Sequence, residues 1–244
     1  MITAYTGTPG SGKTLDVMRA IIYALQSGRK VLCNIRIRDL PRSLEKKRHL
    51  IEYINDSDIT PRNFLRYAVR EHDLSEEGRE YQTLVVIDEC QLIFSDTVMK
   101  KWQERQWMRF FSQHRKFRYN FLLVTQSLRG GIVRQIRDKV ELEMLHWKLS
   151  NYPTKSVMFG LILLLVALSP VEIFMSVTKW PATTEKVKRM FLYKPKLGRM
   201  YGTYELFDME ELKDIIGEEE EIEKEYAFPE INLGLTLPEE DTAT

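Results

Sequence analysis

Cysteine is scarce. Cys33 and Cys90 are the only two in 244 residues, too few for a disulfide framework and without metal-ligand spacing. A chain so poor in thiols reads as a protein of a reducing compartment. No signal peptide is expected either, since Met1 leads straight into a strand-like segment. Long apolar runs are missing too. Val157 to Leu168 offers twelve uncharged residues, short of the ~20 that a helix needs to span a bilayer. Extending the run to Val177 takes in Pro170 and Glu172, and a carboxylate is costly in hydrocarbon. A buried core segment is the preferred reading of this run, and a membrane-associated segment the alternative. Net charge is nearly absent as well: +1 overall, which argues neither for nor against a nucleic-acid partner.

What the chain does have is segregated charge. From Lys100 to Arg137 ten basic residues face one acid, Glu104, and Lys186 to Arg199 adds six more basic residues and no acid. The balancing acids gather near the end, around Glu218-Glu219-Glu220-Glu221. Two basic stretches and a separate acidic one fit a polyanion partner, or equally solvent-exposed helix faces. Length and an ordinary composition, 43% hydrophobic and 29% charged, support one sizeable core: an α/β domain over residues 1–207, with an acidic tail at 208–244.

The most informative stretch is Gly7-Thr8-Pro9-Gly10-Ser11-Gly12-Lys13-Thr14, which fits the phosphate-binding pattern GxxxxGK[ST]. Glycines let consecutive N–H groups turn inward onto phosphate oxygens, and a following helix adds the positive end of its dipole. Gly7, Pro9, Gly10, Ser11 and Gly12 form the cradle, Lys13 meets the β- and γ-phosphates, and Thr14 ligates Mg²⁺. The context is the required one: Ile2 to Thr6 reads as a strand and Leu15 to Gln26 as a helix.

Farther on, Lys30 to Ile35 reads as a second buried strand, joined to the first by a helical crossover and therefore parallel to it. Residues 39 to 82 read as an elaboration with a helix from Pro61 to His72, capped by Asp58 or Thr60. Thr83 to Ile87 is a continuous apolar run ending in Asp88-Glu89, the look of a buried parallel strand whose C-terminal end faces a ligand. Asp88 is the candidate for the Mg²⁺ shell and Glu89 the candidate general base. Trp102 to Arg115 reads as a helix with Trp107, Phe110 and Phe111 on one side and basic residues on the other; its aromatics are core, or a base-stacking platform. Asn120 to Gln126 is another apolar strand, which sets Gln126 to bond the γ-phosphate or the attacking water, or local backbone. Val140 to Met144 alternates like a one-sided strand.

With loop, acid pair and strand-end glutamine located, the chain resembles the zonular occludens toxin family, which includes the assembly ATPases of filamentous phages. The resemblance is carried by Gly7 to Thr14; Gly28-Arg29-Lys30-Val31 with Asn34-Ile35; Val86-Ile87-Asp88-Glu89-Cys90-Gln91; His114-Arg115; Leu123-Val124-Thr125-Gln126-Ser127; and Tyr201-Gly202-Thr203-Tyr204-Glu205. It implies a RecA-like P-loop fold: a mainly parallel sheet flanked by helices, here with a C-terminal β elaboration. It also implies an ATPase using ATP and Mg²⁺ and working as a homo-hexamer on single-stranded DNA or phage nucleoprotein, with phage coat and assembly proteins as partners. Arg115 is the expected residue reaching a neighbouring subunit's nucleotide.

Family members usually continue through one membrane helix, whereas the matched region here is followed by an acidic segment of about forty residues without an apolar run. The expected location is therefore the cytoplasmic face of the host inner membrane, or the cytoplasm. The run at 157–168 is expected inside the domain, with any membrane contact peripheral through Lys186, Lys188 and Arg189. Two other functions share the motifs: a packaging ATPase that pumps double-stranded DNA into a preformed capsid, and a nucleotide-gated scaffold that turns nothing over.

Overall fold

The computed structural model describes residues 1–151, 172–180 and 186–201. Strand β1 (Ile2–Thr6) is buried along its length and runs through the glycine loop into helix α1 (Lys13–Gln26). There follow β2 (Lys30–Cys33), the short β3 (Ile51–Tyr53), α2 (Pro61–Glu71), β4 (Thr83–Ile87), the single turn α3 (Gln91–Phe94), α4 (Lys101–Gln113), β5 (Tyr119–Val124), β6 (Leu142–Lys148), β7 (Ile173–Lys179) and β8 (Lys186–Leu192). All eight strands join one sheet in the order β3-β2-β4-β5-β1-β6-β7-β8. The first six are mutually parallel, and β7 and β8 extend the sheet antiparallel. This is the mainly parallel α/β sheet with a C-terminal β elaboration that the sequence predicts.

Period-two alternation sends each central strand into two cores at once. Leu84 and Val86 of β4 pack with Leu15, Met18, Ile21 and Leu25 of α1. Val85 and Ile87 pack on the other side with Phe64 of α2 and with Trp107, Phe110 and Phe111 of α4. The second core is aromatic: Phe64 meets Phe121 edge-on at 5.5 Å, and Phe94 meets Trp107 at 5.0 Å. Truncating one such ring costs about 3–5 kcal/mol. Trp107, Phe110 and Phe111 of α4 are thus core. Helix α2 begins where its sequence says, Thr60 Oγ1 accepting from the Asn63 N–H at 3.3 Å ahead of Pro61.

Several expectations need adjustment. Although parallel, β1 and β2 are not neighbours, since β5 and β4 lie between them; α1 is long enough to carry the chain over both. β2 ends at Cys33, not at Ile35, because Asn34 turns its amide onto β4. The alternating segment near 140 starts its strand two residues later and runs on to Lys148, Glu141 being held by Ile2 and Arg115. The basic segment after 185 is no helix face: Lys186–Leu192 is a strand.

The run at 157–168, the acidic tail, Thr203 to Glu205 and the boundary at 207 lie outside the described residues. Among the described residues, no helix is long and apolar enough to cross a membrane.

Candidate nucleotide site

Because β5 lies between β1 and β4, the phosphate loop, the acid pair and Gln126 all leave the sheet at the C-terminal end of the strands. The loop follows β1 directly. Gly7 has φ 141°, and a Cβ there would lie 2.4 Å from the His146 carbonyl oxygen of β6. At Gly12, with φ 89°, a Cβ would strike the Phe174 ring of β7 at 2.7 Å. Both positions therefore demand glycine for backbone angle and for space. Lys13, 8% exposed, arches over the loop and donates from Nζ to the Gly7 carbonyl at 2.7 Å and to the Thr8 carbonyl at 3.1 Å. Burial lowers its pKa, with the charges of Glu89 and Asp88 acting against that shift. Ser11 Oγ is buried without a hydrogen-bond partner, an unsatisfied donor inside a concave loop.

The acid pair is built by four amide contacts. The Asp88 N–H donates to Asn34 Oδ1 at 2.7 Å, and Asn34 Nδ2 donates back to the Asp88 carbonyl at 3.0 Å. A single side chain from the end of β2 thereby clasps the end of β4. The Glu89 N–H donates to Asp88 Oδ1 at 3.0 Å, and the Gln91 amide donates to the Glu89 carboxylate. Glu89 has φ 44°, a conformation uncommon for a non-glycine residue and typical of sites where geometry outranks local ease. Burial pushes the Asp88 carboxyl up to about 6; the Glu89 N–H opposes this, the Glu89 charge adds to it, and Lys13 opposes it.

Gln126 is exposed, and its carbonyl accepts the Gly7 N–H at 3.2 Å, tying the end of β5 to the loop. Arg115 is not part of this constellation. It precedes β5 at the opposite end of the strands, ion-paired with Glu141.

Two supports escape sequence reasoning. Beneath the loop, Asp16, 2% exposed, receives Arg189 of β8 and has His146 Nε2 at 3.1 Å. These three come from α1, β8 and β6, so no local pattern announces them. Asn34 and Gln91 carry a fainter signal, each a polar residue just past an apolar strand.

A magnesium ion keeps several waters and takes one or two protein oxygens plus phosphate. The Thr14 hydroxyl beside Lys13 and the Asp88 carboxylate are donors of that kind. Among the described residues no cluster of three His, Cys, Asp or Glu side chains could hold a metal alone. Together with the unsatisfied Ser11 hydroxyl and the glycine-lined cradle, the donor set fits a metal brought in by a phosphorylated ligand.

A model of the zonular occludens toxin (Zot) family matches residues 1–155. No curated protein matches the sequence. Among solved structures, the ATPase domain of another protein is similar, with TM-score 0.50 and 9% identity over 82% of this chain and 84% of that one. ATPases 2 and 3 of EssC from Geobacillus thermodenitrificans align at TM-score 0.46 and 14% identity, covering 93% of this chain but only 44% of that chain. The genome packaging NTPase B204 from Sulfolobus turreted icosahedral virus 2, in complex with ATP-γS, aligns at TM-score 0.44 and 10% identity over 77% of this chain and 95% of that one. The fold is that of RecA-like P-loop ATPases.

Proposed function

The chain belongs to the zonular occludens toxin family of P-loop ATPases, and from that premise we propose that it is the ATP-hydrolysing motor of filamentous phage assembly and extrusion. It acts on single-stranded phage DNA and coat protein at the host inner membrane, as a homo-hexamer. The observation that carries the reading is the convergence of Lys13, Asp88 and Glu89 at one end of the sheet, close enough that each charge shifts another's protonation.

The chemistry follows from the parts. The loop N–H groups and Ser11 cradle the phosphates, while Lys13 exchanges its two backbone carbonyls for phosphate oxygens. Thr14 and Asp88 are the residues that would hold Mg²⁺, which would supply charge neutralisation at the phosphates. Glu89, fixed by its left-handed backbone and by Gln91, takes the proton of the attacking water. Gln126, exposed beside Gly7, bonds the γ-phosphate or that water. Arg115 acts in trans, on the nucleotide of the next subunit. Membrane contact is peripheral, through exposed Lys186 and Lys188, and is weakened by salt; Arg189, expected to act with them, is instead taken up by Asp16.

ATP turnover by the purified protein, with and without single-stranded or duplex DNA at low and high salt, tests the reading. Stimulation by single strands is expected; stimulation by duplex alone would move the substrate to double-stranded DNA. For Arg115, mixing Arg115→Ala with Lys13→Ala subunits should restore turnover at interfaces that pair an intact site with an intact arginine. No recovery would leave Arg115 as Glu141's partner only.

A further inference from the structure

Helix α4 has two unlike sides. Glu104, Trp107, Phe110 and Phe111 turn into the core. Trp102, Arg105 and Arg109, at i, i+3 and i+7, share the outward side. Trp102 is 52% exposed while Trp107 is 3% exposed, so the same residue type is treated oppositely within two turns. Glu104, the one acid between Lys100 and Arg137, is buried and meets Lys101 at 3.2 Å. Neither Arg105 nor Arg109 makes an ion pair or a side-chain hydrogen bond among the described residues. The outward side is thus positive, with one free aromatic ring.

The chain after β5 brings further cations next to this helix. Its helical turn Arg134–Arg137 packs against α4; Arg129 is exposed, and Arg134 is exposed beside its ion-pair partner Asp138 at 3.7 Å. This segment is also fixed to the catalytic strand ends. The Val133 N–H donates to the Phe94 carbonyl at 2.9 Å, and a Cβ on Gly131 would lie 3.2 Å from Gln91 Cβ and 3.0 Å from Thr125 Oγ1. Gln91 is the residue that holds Glu89.

We propose that the outward side of α4, with Arg129 and Arg134, is the surface that contacts single-stranded DNA, phosphates lying on Arg105, Arg109 and Arg129 and an unpaired base stacking on Trp102. The proposal rests on the nucleic-acid motor reading above and gives it a place. Single strands are favoured over duplex because only an unpaired base offers its face to a ring. Arg105 and Arg109 stand about 6 Å apart along the helix, comparable with the phosphate repeat of a stretched strand. Guanidinium contacts to phosphate carry no base preference, so binding is sequence-tolerant. Since the surface stands on the two segments that leave Glu89 and Gln126, strand binding and hydrolysis are mechanically linked.

The test uses the full chain and fluorescein-labelled oligo(dT), read by anisotropy across a salt series, with ATP turnover measured alongside. The double variant Arg105→Ala, Arg109→Ala should flatten the slope of log affinity against log salt by about 1.4, two single-strand phosphate contacts at ~0.7 each. Trp102→Ala should weaken binding roughly tenfold and Trp102→Phe much less. Basal turnover and melting temperature should hold in all three, while the increment due to oligo(dT) falls in the first two. Unchanged affinity and slope in both the double variant and Trp102→Ala, with wild-type protein binding oligo(dT), overturn the surface and leave the motor reading standing. Wild-type protein that hydrolyses ATP but binds no oligo(dT) overturns both. Altered oligomer size in these variants with DNA binding intact overturns the proposal in favour of a subunit interface.

Discussion

The two ends of the sheet handle charge differently. At the C-terminal end of the strands the charges of Asp88 and Glu89 act on Lys13, and those of Glu89 and Lys13 on Asp88, yet none of the three closes an ion pair among the described residues. At the N-terminal end Lys30 and Arg70 both reach Glu71, and Arg115 reaches Glu141. There His72, buried between strands, has the Phe117 carbonyl at 2.7 Å and Thr83 Oγ1 at 2.6 Å. Backbone angle does not separate the two ends: the loop end carries three glycines at positive φ and a left-handed Glu89, and the other end carries Gly28, Tyr81 and Arg118 at positive φ. A paired charge is satisfied by its partner and answers to little else, whereas an unpaired one held by geometry is poised for a ligand. The difference separates an end whose charges stabilise the fold from the end proposed to do chemistry.

Breaking the loop end should give the largest effect. Lys13→Ala removes the ammonium that meets the phosphates, so nucleotide binding should be lost and turnover should fall about 10³-fold. The melting temperature should hold, because Nζ touches only loop carbonyls. Normal turnover in a folded variant would remove the phosphate-loop assignment.

Glu89→Gln comes next. Shape and hydrogen bonding remain but basicity does not, so ATP should still bind while hydrolysis falls by roughly 10²-fold or more. If Glu89→Gln works normally and Asp88→Asn does not, the base is the other carboxylate.

Gly7→Ala tests the geometry instead of the charge. The added methyl meets the His146 carbonyl at 2.4 Å on a backbone that only glycine adopts easily. A cost of about 1–3 kcal/mol is expected, read as a lower melting temperature together with weaker nucleotide binding. Loss of one without the other would show that loop and β6 are less tightly joined than they look.

The smallest effect belongs to the paired end. Hydrogen bonds from Lys30 and then Arg70 hold the Glu71 carboxyl down from 4.5 to about 2. A depressed carboxylate stabilises the fold at pH above 4.5, and that contribution is lost as pH falls from about 4.5 toward 2. Melting temperatures across that window should drop less steeply in Glu71→Gln than in the parent, with catalysis near neutrality unaffected. An identical slope would mean that the pairing contributes nothing to acid stability.

Much of the candidate site was legible because the residues proposed for it stand in short contiguous strings. Gly7 to Thr14 must be contiguous for successive N–H groups to converge, and Asp88-Glu89 must end an apolar run to emerge from a buried strand. What the sequence missed is contributed from a distance. Asn34 clasps Asp88 across 54 positions, and Asp16 meets Arg189 across 173. Neither pairing has a period or a spacing to betray it.

The sequence by itself determined the strand-loop-helix opening, the two-sided apolar strands, the capped α2 and the basic excess around α4, because each rests on interactions within a few residues or on side-chain periodicity. Only the tertiary structure decided that β5 enters between β1 and β4, setting Gln126 beside Gly7. It alone set Arg115 at the far end of the strands, buried Trp107 while leaving Trp102 in solvent, and braced the loop with His146 and Phe174. Strand order and sidedness follow from which faces find partners when the whole sheet closes on its two cores, a condition met by the chain together and by no segment alone.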